Sequence, residues 1–98
     1  MPYAIITTDK PAHLELRTSV RAEHLAYLRA HAGMLLAAGA LIEDDGTGGS
    51  GGVLLVDTDE RAVAEQFAAD DPFTRAGLFD KVVIQRWRKA FVDGKALI

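Results

Sequence analysis

Residues 44–52 read Asp-Asp-Gly-Thr-Gly-Gly-Ser-Gly-Gly, and this stretch dictates how the rest of the chain divides. Five glycines in nine residues leave the backbone without a preferred conformation, so regular structure is excluded and a loop between two strands is expected. The loop splits the chain into two roughly equal halves. Each half carries a strand-like run, a helix-like run, and a second strand-like run.

In the first half, Tyr3-Ala4-Ile5-Ile6-Thr7-Thr8 is rich in aromatic and β-branched residues and stops at Asp9-Lys10-Pro11, which predicts a strand and a turn. Tyr3, Ile5 and Thr7 alternate with Ala4, Ile6 and Thr8, so neither face carries charge and both need cover. From His13 the pattern becomes helical, over about residues 15–38 in its broadest reading, with Gly33 expected to end the regular part. Thr18 or Ser19 is the expected cap, and Glu23 favours the early turns. Val20, His24, Leu28 and Ala32 recur at four-residue spacing, flanked by Leu25, Tyr27 and Leu35, and form one apolar stripe. Arg17, Arg21 and His24 lie on adjoining turns, where their side chains can be neighbours. Residues 34–42 are rich in alanine, but Gly33 and Gly39 favour a bent strand, with Gly39 at a bulge or a close backbone approach.

In the second half, Val53-Leu54-Leu55-Val56-Asp57 predicts a short strand that is apolar on both faces. Thr58 or Asp59 is the expected cap of a second helix, with Ala62, Val63, Phe67 and Ala68 inward and Glu60, Arg61, Glu65 and Gln66 towards water. Asp71-Pro72 opens a short helical turn that Gly77 closes. Residues 81–91 predict a long last strand, with residues 92–98 as a tail.

The order β-α-β-β-α-β is that of a ferredoxin-like α+β fold, a four-stranded antiparallel sheet with two main helices on one face. Two helices cover one side of such a sheet. The apolar second side then calls for a partner, and a second copy of the chain in a homodimer is the simplest one. Ninety-eight residues suit one domain over 1–98, able to bury roughly two-thirds of its unfolded surface without staples. Cysteine is absent, which removes disulfides, thiolate metal sites and a thiol nucleophile. A net charge of −3 argues against a nucleic-acid surface. No apolar run approaches a membrane span, and Met1-Pro2-Tyr3 leads straight into strand-like sequence, so a cytoplasmic domain is expected.

Several of these features occur together in one family. The opening strand, Arg17, Ser19-Val20-Arg21 leading to His24-Leu25, Leu28, Ala38-Gly39, the glycine-rich loop before Val53, Asp71-Pro72-Phe73, Ala76-Gly77 and Val82-Val83-Ile84 fall in the same order and separation. The sequence resembles the YciI-like family. The resemblance implies a dimeric α+β barrel similar to muconolactone isomerase and a His–Asp pair at a pocket, here His24 and Asp71. A dehydrochlorinase acting on a chlorinated hydroxyhydroquinone belongs to the same family. Some relatives carry a serine immediately before the third strand, where this chain has Gly51-Gly52 and Ser50 slightly earlier.

The residues themselves allow two readings. His24 is either a general acid/base, since imidazole exchanges a proton near neutrality, or a packed helix histidine. Asp71 is an ordinary cap for the turn after it and equally a carboxylate able to fix a histidine tautomer. Arg21 and Arg17, one and two turns before His24, are either surface charges or contacts for an anionic or enolate oxygen. Phe73 and Tyr3 are expected as core or ligand-pocket wall. The glycine loop lacks the GxxxxGK[ST] pattern and precedes a strand, which sets phosphate binding aside. His13, His24 and His31 lack ligand spacing, so neither a metal nor a cofactor is expected. Arg86-Trp87-Arg88-Lys89 is expected as a solvated edge. Two functions remain: a cofactor-independent enzyme moving protons on a small cyclic or aromatic oxygenated molecule, by isomerisation or dehydrohalogenation, or a dimeric domain that only binds a small molecule.

Overall fold

A computed structural model describes residues 1–98. The strand β1 (Tyr3–Asp9) is followed by the helix α1 (Leu14–Ala30), a 3-10 turn (Ala32–Met34), β2 (Leu35–Leu41) and β3 (Gly51–Val56). Then come α2 (Arg61–Asp70), α3 (Pro72–Arg75), β4 (Phe79–Arg86), and a small hairpin of β5 (Phe91–Val92) and β6 (Lys95–Ala96). The main sheet has the order β2-β3-β1-β4 and is antiparallel throughout. This is the ferredoxin-like α+β fold.

Register explains where the core lies. Ile5 stands opposite Leu54 on one side and Ile84 on the other, and Tyr3 stands opposite Val56 and Arg86. Side chains alternate along a strand, so Tyr3, Ile5, Thr7, Leu54, Val56 and Ile84 share the helix-covered face. Ile5, Leu54 and Val56 pack there with Phe67 and Ala68 of α2, and Tyr27, Leu28, Met34, Leu35 and Ile84 close around them. Tyr27 of α1 ties the two helices together by donating its hydroxyl to the Phe67 carbonyl at 2.8 Å. The opposite face of the sheet carries Ala4, Ile6, Val53, Leu55, Val83, Ala37 and Leu41, and no helix covers it. Accordingly only 13 of 98 residues are buried, and the shortest extent of the molecule is 22 Å, that of a two-layer slab.

Several local expectations change. Thr18 and Ser19 do not cap α1; the helix starts earlier, at Leu14, and their hydroxyls donate back to the Leu14 and Leu16 carbonyls. Gly33 lies in the 3-10 turn beyond α1, which ends at Ala30. On α2, Ala64 rather than Ala62 is buried with Phe67 and Ala68. The β2 bulge falls between Leu35 and Ala37, not at Gly39, which pairs regularly with Val53. Gly51 and Gly52 belong to β3 and not to the loop. Gly51 is required there, because a Cβ would come within 2.0 Å of the Thr7 carbonyl oxygen.

The final strand is shorter than expected. It ends at Arg86 because its neighbour β1 begins at Tyr3, and Pro2, which has no N–H, extends the ladder only by accepting from the Trp87 amide. The tail then folds on itself. Asp93 and Gly94 both have positive φ, the signature of a type I′ hairpin turn, and Phe91 pairs with Ala96. No helix is long and apolar enough to cross a membrane.

Candidate functional site

The site forms where α1 passes over α3. Asp71 adopts extended backbone (φ −60°, ψ 129°) and caps α3, its Oδ1 accepting the Phe73 amide at 2.9 Å with Pro72 in the first helical position. That cap leaves the carboxylate 1% exposed beneath α1. His24 arrives from the helix above, and its Nδ1 lies 2.8 Å from the same Oδ1. An ionised carboxylate only accepts, so Nδ1 carries the proton in this pair and Nε2 presents a lone pair. No group of the protein engages Nε2. The imidazole also stacks on Phe73, with centroids 4.1 Å apart and planes 18° from parallel. Ring orientation is therefore fixed from two sides, by the carboxylate and by the aromatic face.

The two arginines of α1 are placed differently. Arg17 reaches back to β1, donating from Nε to Asp9 Oδ2 at 2.6 Å and from Nη2 to Asp9 Oδ1 at 3.1 Å. The same Nη2 donates to the Gly51 carbonyl at 3.0 Å, and the guanidinium lies over Phe73 with its centre 4.8 Å from the ring. Two hydrogen bonds to one carboxylate make this pair a brace between α1, β1 and β3. Arg21, one turn on, is exposed and has no ion pair. It borders the cavity as an uncommitted cation.

The cavity holds about 280 Å³, near the lower end of small-molecule sites, and is lined by Arg17, Arg21, His24, Asp71, Phe73 and Thr7 among others. Its floor is the helix-covered face of the sheet. Across that face one row reads Ala40, Gly52, Thr7, Val82, whereas the next reads Ala38, Leu54, Ile5, Ile84. Ala40, Gly52 and Thr7 of the first row, with Ala38, leave the hollow, and Leu54 and Ile5 of the second row close it off from the core. Tyr3 is the one expected contact that the fold does not bring here. It is buried at the other end of β1, where its hydroxyl accepts from Arg86 and its ring lies under that guanidinium. Arg86 is consequently a clamp at the sheet edge rather than a purely solvated charge.

Against known proteins, the model of the YCII-related domain matches residues 1–88. The chain belongs to this family. The YciI protein of Escherichia coli is 34% identical over 98 residues, spanning 93% of this chain and 100% of the relative. An uncharacterized protein of Haemophilus influenzae is 33% identical over the same shares of the two chains. Among solved structures, the chain is similar to the 5-chloro-2-hydroxyhydroquinone dehydrochlorinase TftG of Burkholderia phenoliruptrix, solved in complex with 2,5-dihydroxybenzoquinone. The TM-score is 0.83 at 30% identity, covering 90% of this chain and 94% of that one.

One residue at this YCII-related site escapes sequence reasoning. Thr7 is 4% exposed, lines the cavity, and bonds its hydroxyl to no other protein group. Every fully occluded polar side-chain atom in the molecule has a partner, so this hydroxyl opens onto the cavity. The available signal is its parity with Tyr3 and Ile5, which makes it a polar residue on the inward face of a core strand. No group of three or more acidic or histidine side chains is clustered as a metal site would require.

Proposed function

We propose that the protein is a cofactor-independent enzyme that transfers protons on a small cyclic or aromatic oxygenated molecule, in an isomerisation or an elimination such as dehydrohalogenation. The observation that carries this reading is the 2.8 Å contact of His24 Nδ1 with the buried Asp71 carboxylate at the wall of a ligand-sized cavity. A base whose second nitrogen is held by a carboxylate has its tautomer fixed and its imidazolium stabilised. Nε2 of His24 takes a proton from a ring hydroxyl or an acidic C–H and returns it in isomerisation. In elimination the electron pair freed by deprotonation expels the halide, and the products carry away one proton and one halide ion. Arg21 meets the oxygen on which negative charge develops, with the outer edge of Arg17 as a second donor. Phe73 keeps the imidazole against the ring. The likeness to a dehydrochlorinase that acts on a hydroxylated aromatic ring supports the substrate class.

We also read the open sheet face as the interface of a homodimer in the cytoplasm. Seven apolar residues on that face and a cysteine-free composition support the two parts of this reading. The direct test of the enzyme reading is turnover of a panel of lactones and halogenated phenols by wild type and His24→Ala. General acid–base loss is expected to lower the rate roughly 10²- to 10⁴-fold. Equal rates would end the catalytic claim, and binding without turnover by either protein leaves a ligand-binding domain.

A further inference from the structure

The cavity has two polar ends of different character. At its exposed mouth stands the guanidinium of Arg21, with no carboxylate to neutralise it. On its floor stands the Thr7 hydroxyl, in a residue 4% exposed and without a partner in the protein. Gly52 keeps that hydroxyl reachable, since a Cβ at position 52 would lie 3.6 Å from Thr7 Oγ1 and fill the space beside it. A hydroxyl that has no partner in the protein and opens onto a ligand-sized hollow is free to bond a ligand atom there.

We propose that Thr7 is the specificity-determining group of the site and that the ligand class is a hydroxylated aromatic acid: a ring whose anionic substituent meets Arg21 at the mouth and whose neutral hydroxyl meets Thr7 on the floor. The proposal rests on the proton-transfer reading above and adds the orientation of the ring. Charge belongs at the mouth because an anion is costly to carry into the dry end. A neutral hydroxyl belongs on the floor because threonine both donates and accepts, and so pairs with it in either sense. Held this way, the ring lies between the sheet and His24. Thr7 touches the ligand but moves no proton.

The test compares binding of benzoate, 3-hydroxybenzoate and 4-hydroxybenzoate to wild type, Thr7→Val and Thr7→Ser by titration calorimetry. Valine keeps the shape and removes the hydroxyl; serine keeps the hydroxyl. Wild type is expected to prefer one hydroxybenzoate over benzoate by roughly tenfold, the scale of one hydrogen bond in a dry site. Thr7→Val is expected to erase that preference while melting no lower than wild type, and Thr7→Ser to retain it. A preference that survives in Thr7→Val, or is absent in wild type, overturns the role of Thr7 and leaves the proton-transfer reading standing. Failure of all three acids to bind wild type removes the ligand class, while turnover of the lactone and phenol panel still decides the reading beneath it. If Thr7→Val does not fold, 4-methoxybenzoate and 3-methoxybenzoate replace the variant: methylation is expected to abolish the wild-type preference, and its persistence overturns the proposal.

Discussion

His24 and Phe73 meet the same oxygen atom: Asp71 Oδ1 takes the imidazole Nδ1–H at 2.8 Å and the Phe73 amide at 2.9 Å. One carboxylate thus starts a helix and orients an imidazole, and substitutions can separate the two jobs. Asp71→Asn keeps an oxygen for the amide, whereas Asp71→Ala removes it. Asp71→Ala is expected to cost about 1–3 kcal/mol of stability, from a lost cap and a buried donor left unpaired, and Asp71→Asn much less. Both are expected to lower turnover. Nitrogen NMR of His24 checks the cause: the proton resides on Nδ1 in wild type and distributes over both nitrogens in Asp71→Ala.

The Arg17–Asp9 pair is mostly shielded, with side-chain exposures of 11% and 6%. Removing one partner strands the other charge, so Arg17→Met is expected to destabilise by about 3 kcal/mol. The double variant Arg17→Met with Asp9→Leu is expected to recover most of that loss, because neither charge is then left alone. Urea denaturation of the four proteins in the cycle measures the coupling. A coupling near zero would show the brace to be dispensable.

Ile6 lies on the uncovered face of the sheet and is 41% exposed. In the homodimer reading wild type sediments as a dimer at micromolar concentration and Ile6→Lys sediments as a monomer. A compact wild-type monomer at that concentration would sink the interface.

Tyr27 provides the pH dependence. Burial, followed by the negative charges of Asp70 and Asp71 and opposed by Arg75, pushes its hydroxyl up to about 12 from 10.0. An unfolded chain releases this proton near pH 10, while the folded protein holds it until about pH 12. Between those limits the unfolded state binds fewer protons, so stability is intact below pH 10 and falls as pH rises towards 12. Denaturation midpoints across this window are expected to fall more steeply for wild type than for Tyr27→Phe. The phenylalanine variant is also expected to lose about 1 kcal/mol at neutral pH with the bond to the Phe67 carbonyl.

Much of this was legible in the sequence because it depends on local rules. Alternation in residues 3–8, the Asp71-Pro72 start of α3 and the closing glycine at 77, with φ +78°, are each decided within a few residues. The His24–Asp71 pairing follows from family resemblance alone, since a separation of 47 positions carries no spacing signal. What escaped depends on register. The bulge at Leu36 rather than Gly39 is decided by how β2 fits β3, and the end of β4 by where β1 runs out. Tyr3 and Thr7 share a face, but only the cross-strand rows set one in the core and the other in the cavity. The Asp93-Gly94 hairpin, by contrast, carries a strong local signal, Asp-Gly between strand-like residues.

The row Ala40, Gly52, Thr7, Val82 has a consequence for divergence. Its members belong to four strands whose backbone bonding is independent of their side chains. Ala40 and Thr7 line the hollow, so a change of size at either reshapes its floor while His24 and Asp71 sit on other elements. Sequences that diverge from this one can therefore change the shape of the floor by single substitutions while the His24–Asp71 pair above it stays in place.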